Sequence, residues 1–421
     1  MKTSTTSKPP EKLILVAVQL PHVSDEETLG SLDELTELAK TMGKEVTQSV
    51  IQKREKIDRS FYLGKGKMAE VKEIAEKVGA TMVVADDELS GAQCRNMEEG
   101  LGITVSDRTS LILEIFSTHA STREGKLQVE IASMNYRLVR LTGGYTALSR
   151  QRGGIGAKGP GEMQIESDRR TMRDRIQRLD EELDKVVQDR DNQRKKRTDR
   201  FVPLFALVGY TNAGKSTLLN ALSGSRIRVF DGLFTTLDPT SRRVDLPSGR
   251  WAVLSDTVGF IHKIPHSLIK AFRATLECVV NSQNMILVCD ISSPRARDQI
   301  VAVEDVLREM KLVDRDKIIV FNKIDRHVPY NRETLAEAFP GCIFISALTG
   351  EGFPELKQCM DEIIARNYES VNLKIPAGSE ILKEVLAIGH IKFQEWGNDE
   401  VNMKVELPKR FLSIVKNFIT E

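Results

Sequence analysis

The residue pattern with the clearest chemical meaning is the run from Gly209 to Ser216, which reads GYTNAGKS. It follows the apolar segment PLFALV and precedes the helical pattern TLLNAL, which is the context that a phosphate-binding loop requires. Glycines let backbone amides wrap phosphates, Lys215 neutralises β and γ phosphate charge, and the Ser216 hydroxyl ligates Mg²⁺. The pattern therefore predicts a nucleoside triphosphate site.

Further motifs follow in the order that a GTP-hydrolysing domain needs. FTTLD, residues 234–238, lies where a switch loop is expected, with Thr236 as the second Mg²⁺ hydroxyl and adjacent Thr235 as the alternative. DTVG comes directly after the strand pattern AVLS. Its Asp256 is expected to hold Mg²⁺ through a water molecule, and the amide of Gly259 to sense the γ phosphate.

Two later motifs set the choice of base. NKID follows the strand pattern KIIVF, and Asp325 can accept two hydrogen bonds from guanine N1–H and N2–H₂, which adenine does not offer. Ser346 and Ala347 follow CIFI, where a backbone amide is expected to meet guanine O6. The ordered set predicts a GTPase that uses Mg²⁺.

The predicted site residues come from these motifs. The catalytic residues are Lys215, Thr236 and Gly259. The metal ligands are Ser216, Thr236 and, through water, Asp256. The GTP-binding residues are Gly209, Tyr210, Thr211, Asn212, Ala213, Gly214, Lys215, Ser216, Thr217, Phe234, Thr235, Thr236, Leu237, Asp238, Asp256, Thr257, Val258, Gly259, Asn322, Lys323, Ile324, Asp325, Ser346, Ala347 and Leu348.

Two positions bear on mechanism and leave alternatives open. Phe260 follows DTVG, where GTPases of the Ras type carry a water-orienting Gln. A hydrophobic side chain cannot polarise water, so slow intrinsic hydrolysis is expected, whether or not Phe260 serves core packing. Asn212 in the phosphate loop is interpreted either as a K⁺ ligand or as a residue chosen for turn geometry.

The region 126–200 carries a local basic charge, with 18 Lys and Arg against 12 Asp and Glu, inside a chain of net charge +1. Apolar residues repeat at heptad spacing in two runs, which predicts an antiparallel helical hairpin. The runs are Leu127, Ile131, Met134, Leu138, Leu141 and Met172, Ile176, Leu179, Leu183, Val186. The loop between them, 142–161, holds seven glycines.

This loop contains a formal GxGxxG at 154–159, but it neither follows a strand nor opens a helix, so a dinucleotide site is not indicated. We interpret the loop as a hairpin tip that approaches RNA phosphates through bare backbone and basic side chains, with a solvated linker as the alternative. The RNA-contact candidates are Arg150, Arg152, Gly153, Gly154, Gly156, Lys158 and Gly159. GKGK at 64–67 is interpreted as a helix start, with a second nucleotide or RNA contact as the minority interpretation.

The composition limits the class of protein. Of the 421 residues, 40% are hydrophobic and 29% are charged, as in soluble globular domains. The longest apolar stretch is too short to span a bilayer, and 1–10 is expected to be a disordered leader rather than a signal peptide. The five cysteines form no CxxC pair, which indicates reduced thiols in the cytosol. Peripheral membrane association is compatible with this expectation, and a monomer is expected.

The alternation of strand and helix patterns predicts an α/β fold class: a P-loop G domain, with a parallel sheet covered by helices on both faces, preceded by a small parallel α/β subdomain and the antiparallel hairpin, and followed by a small C-terminal domain. The predicted boundaries are a leader 1–10, the N-terminal subdomain 11–125, the hairpin 126–200, the G domain 201–370 and the C-terminal domain 371–421. The last segment is expected to have strand–loop–strand character over EVLAIGHIKFQEW and EVNMKVELP.

The chain resembles the HflX GTPases in GYTNAGKST, LFTTLDPTSR, DTVGFIHKIPHSLIKAFRATLE and NKID. The resemblance continues upstream in YLGKGK, DDELSGAQCRN and RGGIGAKGPGE and covers roughly 11–365. It implies a two-part N-terminal domain joined to the G domain, binding to the large ribosomal subunit and GTP-dependent splitting of stalled or stress-damaged ribosomes. It also implies, from some members, ATP binding by the N-terminal domain. Gly91 stands where many relatives have Pro and Thr235 where Ala is common.

The main hypothesis is therefore a cytosolic, ribosome-associated GTPase whose partners are GTP, GDP and ribosomal RNA. One alternative is an RNA-binding or RNA-remodelling adaptor in which the G domain only reports nucleotide state. The other is a GTPase that regulates a protein partner, such as a membrane protease complex.

Overall fold

The computed structural model describes residues 10–142, 160–195, 202–225, 233–234, 240–263, 279–280, 282–312 and 315–420. These residues divide into two compact units. The first holds the described residues up to Lys185, with 233–234 and 261–263. The second holds the remainder.

The first unit is built on a four-stranded parallel sheet with the order β2-β1-β3-β4. Its strands are β1 (Lys12–Gln19), β2 (Glu45–Lys53), β3 (Met82–Ala85) and β4 (Thr104–Asp107). The helices between and after them are α1 (Asp25–Thr41), α2 (Lys65–Val78), α3 (Gly91–Leu101) and α4 (Arg108–His119). Every residue of β1 after Lys12 is buried, as expected for a central strand covered on both faces.

Side-chain alternation along β1 divides the core. Ile14, Val16 and Val18 belong to a cluster that α2 and α3 complete with Met68, Val71, Ala75, Met97 and Leu101. Helix α1 begins at Asp25. The reason is Ser24, whose hydroxyl accepts from the Glu27 amide while the Glu27 carboxylate accepts from the Ser24 amide, a complete capping box.

Two long helices, α5 (Arg123–Thr142) and α6 (Pro160–Lys195), follow. Arg123 pairs with Glu182 and Arg175 pairs with Glu130, so the two helices are antiparallel. Leu127, Ile131 and Leu179 of the heptad seams are buried. The predicted antiparallel hairpin is therefore confirmed. The residues 143–159 between the two helices, which include all seven RNA-contact candidates, lie outside the described residues.

A buried ion network joins α1, β3 and α4 in the first unit. Arg108 is only 1% exposed. Its guanidinium pairs with Asp86 at 2.6 Å and with Glu34 at 2.9 Å. Lys263 Nζ lies 2.5 Å from the second oxygen of Asp86. Burial alone would raise the pKa of Asp86, but Arg108 and Lys263 outweigh it, and the pKa falls from 3.8 to about 2.

The second unit contains a six-stranded sheet with the order β10-β9-β8-β5-β7-β6. Its strands are β5 (Leu204–Gly209), β6 (Thr240–Asp245), β7 (Trp251–Asp256), β8 (Asn284–Asp290), β9 (Lys317–Asn322) and β10 (Ile343–Phe344). The accompanying helices are α7 (Lys215–Ser223), α8 (Ala296–Glu309), α9 (Arg332–Ala338) and α10 (Phe353–Arg366). All pairings are parallel except β6 with β7, an antiparallel edge that the sequence did not predict.

Helices cover both faces of this sheet. Leu218 and Leu219 of α7 and Leu356 and Met360 of α10 share one core cluster with residues of β5, β8 and β9. Helix α8 contacts β8, and the Cys289 thiol of β8 reaches the Ala296 carbonyl of α8. Because side chains alternate between the two faces of a sheet, Cys289 lies on the face opposite Ile286 and Val288, which belong to the core cluster. The predicted α/β fold class with a P-loop G domain is thus confirmed.

The chain ends in an antiparallel sheet with the order β12-β13-β11-β14. Its strands are β11 (Tyr368–Pro376), β12 (His390–Trp396), β13 (Glu400–Pro408) and β14 (Ile419–Thr420). Helix α11 (Glu380–Ile388) and the short helix α12 (Leu412–Val415), which is flanked by two 3₁₀ turns, complete the module. The prediction of strand character from EVLAI onward was wrong up to Ile388, because Ser379 caps a helix whose Leu382, Val385 and Ile388 are buried.

Arg250 links this C-terminal module to the G-domain sheet. It is the last residue of the turn between β6 and β7. Its guanidinium lies 2.7 Å from Asp361 of α10 and 2.6 Å from Glu406 of β13. Ser248 in the same turn donates to Asp361 through both its amide and its hydroxyl at 2.8 Å. Burial would raise the pKa of both carboxyls, yet these hydrogen bonds and the Arg250 charge lower it.

Two observations concern membrane spans and cysteines. Among the described helices, none has the length and apolar character needed to cross a bilayer. The four cysteines in the described residues are free thiols, and burial raises the pKa of Cys94 to about 11 and of Cys289 to about 12.

We predict that Asp86→Asn destabilises the first unit by about 3 kcal/mol, because it leaves the buried Arg108 charge without its closest partner. In the wild type, the lowered pKa contributes about 2 kcal/mol that is fully present above pH 4 and is lost as the pH falls through about 2. Hydrogen exchange of the β1 amides measures both effects. Asp33→Asn on the exposed face of α1 is the control, and an equal loss of protection in the two variants would contradict the prediction.

Candidate active site

The phosphate-binding loop connects the carboxyl end of β5 to the first residue of α7. Gly214 has a φ of +94°, and a Cβ placed on it would lie 2.3 Å from Asn322 Nδ2. Only glycine meets both conditions, because a side chain would collide with Asn322 and would disfavour this backbone conformation. The loop ends at the amino terminus of α7, where amides face outward for an anion.

Asn322 and Lys323 join this loop to the base-recognition motif. Asn322 Nδ2 donates to the Ala213 carbonyl at 2.8 Å, and its Oδ1 accepts from the Ala347 amide at 2.9 Å. Lys323 Nζ donates to the Asn212 carbonyl at 2.7 Å and pairs with Asp290 at 2.6 Å. Three motifs that are distant in sequence therefore meet at the carboxyl ends of β5, β9 and β10.

Lys215 is buried in the loop, with 6% of its surface exposed. Its Nζ donates to the carbonyls of Gly209 at 3.1 Å and Tyr210 at 2.8 Å. Burial lowers the pKa of Lys215 from 10.5 to about 8, although the Asp256 charge acts in the opposite direction. The site thus holds an ammonium group in an environment where anionic phosphates would favour its charged form.

The predicted Mg²⁺ ligands Ser216 and Asp256 lie side by side. Ser216 Oγ donates to Asp256 Oδ2 at 2.5 Å, and Asp256 Oδ1 accepts from the Thr257 amide at 2.9 Å. Thr257 in turn donates its hydroxyl to the Leu207 carbonyl at 2.6 Å, which fixes the end of β7. One hydroxyl and one carboxylate are the hard oxygen ligands that Mg²⁺ prefers, so these residues fit the ion.

Gly259 and Phe260 run beside the phosphate loop. The Thr211 amide donates to the Phe260 carbonyl at 2.7 Å, and the Phe260 amide donates to the Gly209 carbonyl at 3.1 Å. A Cβ on Gly259 would lie 2.7 Å from Thr211 Cα and 3.0 Å from Lys215 Nζ, so the close approach requires glycine. The Phe260 side chain is buried, which supports its core-packing interpretation and agrees with the absence of a water-orienting side chain there.

The base-recognition residues are organised around Ser346. Its hydroxyl donates to Asp325 Oδ1 at 2.6 Å, which fixes the carboxylate expected to read guanine. The Ala347 amide donates to Asn322, so a contact of this amide with guanine O6 would have to share the donor. Leu348 next to it is 79% exposed, an unusual exposure for leucine.

The remaining predicted site residues belong to the FTTLD segment and to the hairpin loop. Phe234 has a φ of +58°, and its ring lies 4.6 Å from that of Phe116 on α4 in the first unit. The residues 235–238, including Thr236, lie outside the described residues, as do the RNA-contact candidates in the hairpin loop. The role of these residues stays a prediction.

One polar partner in the site was not among the sequence candidates. Asp290 pairs with Lys323 and also accepts from the amide and hydroxyl of Ser292. Its position directly after the apolar run MILVC, at the carboxyl end of the central strand β8, is the signal that could have found it.

Three family profiles match consecutive parts of the chain. They are described as GTP-binding GTPase N-terminal over 30–117, GTP-binding GTPase Middle Region over 119–197 and 50S ribosome-binding GTPase over 204–323. Curated relatives named GTPase HflX match almost the full chain. The relative from Caldanaerobacter subterraneus subsp. tengcongensis is 42% identical over 97% of this chain and 94% of its own.

A second relative of that name, from Lacrimispora saccharolytica, is 44% identical over 97% of this chain and 96% of its own. The Escherichia coli K12 protein is 38% identical over 94% of both chains. Among solved structures, a GTP-binding protein from Sulfolobus solfataricus in complex with GDP covers 85% of this chain and 99% of its own, at 24% identity and a TM-score of 0.43.

We predict that nucleotide binding takes up a proton above about pH 8, because the phosphates raise the lowered pKa of Lys215 and recharge it. Affinity for GDP should therefore fall as the pH rises from about 8 towards 10.5, the ordinary pKa of lysine. Titration calorimetry at about pH 9 in buffers of different ionisation enthalpy measures the uptake.

The matched control for this experiment is Lys215→Arg, whose guanidinium stays charged throughout this range and should show no proton uptake. Wild-type binding with no detectable uptake at that pH would show that Lys215 is already charged before the phosphates arrive.

Proposed function

Because this chain belongs to the HflX family of GTPases, and so binds and hydrolyses GTP, we propose that it associates with the large ribosomal subunit and splits stalled or stress-damaged ribosomes. The observation that carries the proposal is the match of residues 204–323 to a profile described as 50S ribosome-binding GTPase. The locally basic hairpin supports it, since ribosomal RNA is a polyanion.

The proposed nucleotide site combines residues of the candidate active site with Thr236 of the FTTLD segment. Lys215 faces the β and γ phosphates, Gly259 senses the γ phosphate through its amide, and Asp325 reads guanine. Ser216 and Thr236 bind Mg²⁺ directly, and Asp256 binds it through water. When bound, the ion neutralises the charge that develops between the β and γ phosphates.

K⁺ at Asn212 is a further cofactor proposal. Asn212 has a φ of +58°, and asparagine tolerates this left-handed conformation better than most residues, so turn geometry accounts for the residue type by itself. A comparison of GTP hydrolysis in potassium and sodium salts distinguishes the two interpretations.

The proposed division of labour follows the predicted domain boundaries. The hairpin, 126–200, contacts ribosomal RNA through Arg150, Arg152 and Lys158, and the G domain, 201–370, changes state with its nucleotide. GTP orders the segments around Thr236 and Gly259, ribosome binding is strongest in that state, and hydrolysis releases the protein. The protein acts as a monomer in the cytoplasm. From the family resemblance we also propose that residues 11–125 bind ATP.

A second candidate function is an RNA-binding or RNA-remodelling adaptor, which the basic hairpin also supports. In that case RNA binding would not depend on the nucleotide. A GTPase that regulates a protein partner is favoured less, because an apolar interface does not need the local +6 charge.

We predict that the protein sediments with large ribosomal subunits in the presence of a non-hydrolysable GTP analogue, and much less with GDP or without nucleotide. The ordering of the γ-phosphate-sensing segments is the physical reason for the difference. Subunits should also accelerate GTP hydrolysis. Equal sedimentation in the three states would favour the adaptor, and no sedimentation in any state would refute ribosome association.

We predict that Arg150→Ala combined with Arg152→Ala weakens subunit binding and reduces the salt dependence of the binding constant by about two phosphate contacts. The charge-matched control is Lys72→Ala combined with Lys77→Ala, on the exposed face of α2. Sedimentation across a salt series measures both slopes. Equal slopes for the two double variants would show that the loop is a linker rather than an RNA contact.

A further inference from the structure

Thr211 has the only buried hydroxyl oxygen in the described part of the chain without a hydrogen-bond partner. The residue is 7% exposed. Three other hydroxyls of the site are engaged: Ser216 donates to Asp256, Thr257 to Leu207 and Ser346 to Asp325. Since buried polar atoms are nearly always paired in folded proteins, the orphaned oxygen of Thr211 calls for a ligand.

The place of Thr211 indicates which ligand this is. Its amide is fixed to the Phe260 carbonyl at 2.7 Å. A Cβ on Gly259 would meet both Thr211 Cγ2, at 2.8 Å, and Lys215 Nζ, at 3.0 Å. The Thr211 methyl group, the Gly259 backbone and the Lys215 ammonium therefore surround one point, and the Thr211 hydroxyl, on the same Cβ as that methyl group, lies beside it. This point is the γ-phosphate end of the site if the roles proposed above for Lys215 and Gly259 hold.

The Phe260 and Lys215 side chains, which also lie near this point, cannot accept a hydrogen bond from a water molecule. Phe260 is apolar and 4% exposed. Lys215 is a donor only, and its Nζ contacts the carbonyls of Gly209 and Tyr210. A hydroxyl both donates and accepts, so it can hold a water molecule and a phosphate oxygen together.

We infer that Thr211 is a catalytic residue whose hydroxyl orients the attacking water in GTP hydrolysis. It takes the role of the glutamine that follows DTVG in GTPases of the Ras type, where this chain has Phe260. The hydroxyl oxygen of Thr211 accepts a hydrogen bond from the water and its proton is donated to a γ-phosphate oxygen. The water oxygen bonds to the γ phosphorus, and the bond from that phosphorus to the β–γ bridging oxygen breaks with its electron pair left on GDP. The proton lost by the water goes to the released phosphate, so the hydroxyl ends unchanged.

The test uses the full chain without ribosomes, so that it is independent of the proposed ribosomal role. Thr211→Val keeps the shape and removes the hydroxyl, and Thr211→Ser keeps the hydroxyl and removes the methyl group. The control is Thr36→Val in α1, where the hydroxyl donates to the Leu32 carbonyl in the first unit. Each protein is measured by single-turnover GTP cleavage, by GTP affinity and by binding of GDP with aluminium fluoride, which mimics the transferring phosphoryl group.

We expect Thr211→Val to slow cleavage by about 100-fold and to weaken the aluminium fluoride complex similarly, while GTP affinity stays within about threefold. Thr211→Ser should recover most of the loss, and Thr36→Val should show none of it. Cleavage by Thr211→Val within twofold of the wild-type rate would overturn the inference. So would a parallel loss of GTP affinity, or a serine variant as slow as valine, because either would indicate a structural role.

Discussion

The buried amide of Asn322 is the contact on which the geometry of the nucleotide site depends. One end of the amide donates to Ala213 in the phosphate loop, and the other accepts from Ala347 next to the base-recognition serine. Neither end is free to turn without leaving a buried polar group unpaired, which costs about 1–3 kcal/mol. The distance between the phosphate-binding and base-reading parts is therefore set by one rigid side chain at the end of β9.

This fixed frame explains how the loop can keep a buried ammonium group. Lys215 is held by the carbonyls of Gly209 and Tyr210, which accept from two of its three donors, and no carboxylate of the described residues pairs with it at hydrogen-bond distance. A carboxylate in contact with the Lys215 ammonium would offset the positive charge that attracts phosphates. The lowered pKa of Lys215 thus follows from burying its ammonium group in a loop that has no bound anion to offset the charge.

The sequence predicted the parts of the site that depend on short segments and missed those that depend on distant contacts. GYTNAGKS, DTVG and NKID each end a strand, and their spacing alone identified the side chains that converge. The roles of Asn322 and Asp290 as links could not be predicted, because their partners, such as Ala213 after β5, lie on segments that are distant in the sequence. Helix α11 was missed because LAIGHIKF is apolar enough to suit a strand, and the capping bond of Ser379 decided otherwise. Nothing in FTTLD signals the edge-to-face contact of Phe234 with Phe116, 118 residues earlier in the chain, and the assignment of Phe234 to the nucleotide stays a prediction.

Arg250 carries a consequence for any shortened form of the protein. A chain that stops after α10 would keep Asp361 but lose Glu406, and the guanidinium, which is 12% exposed, would face solvent with one carboxylate fewer. The turn between β6 and β7 would then lose an anchor at the far end of the strand that leads into Asp256. Excising the G domain at its apparent border would therefore alter the support of β7, the strand that ends at the proposed Mg²⁺ ligand Asp256, even though no residue of the site had been removed.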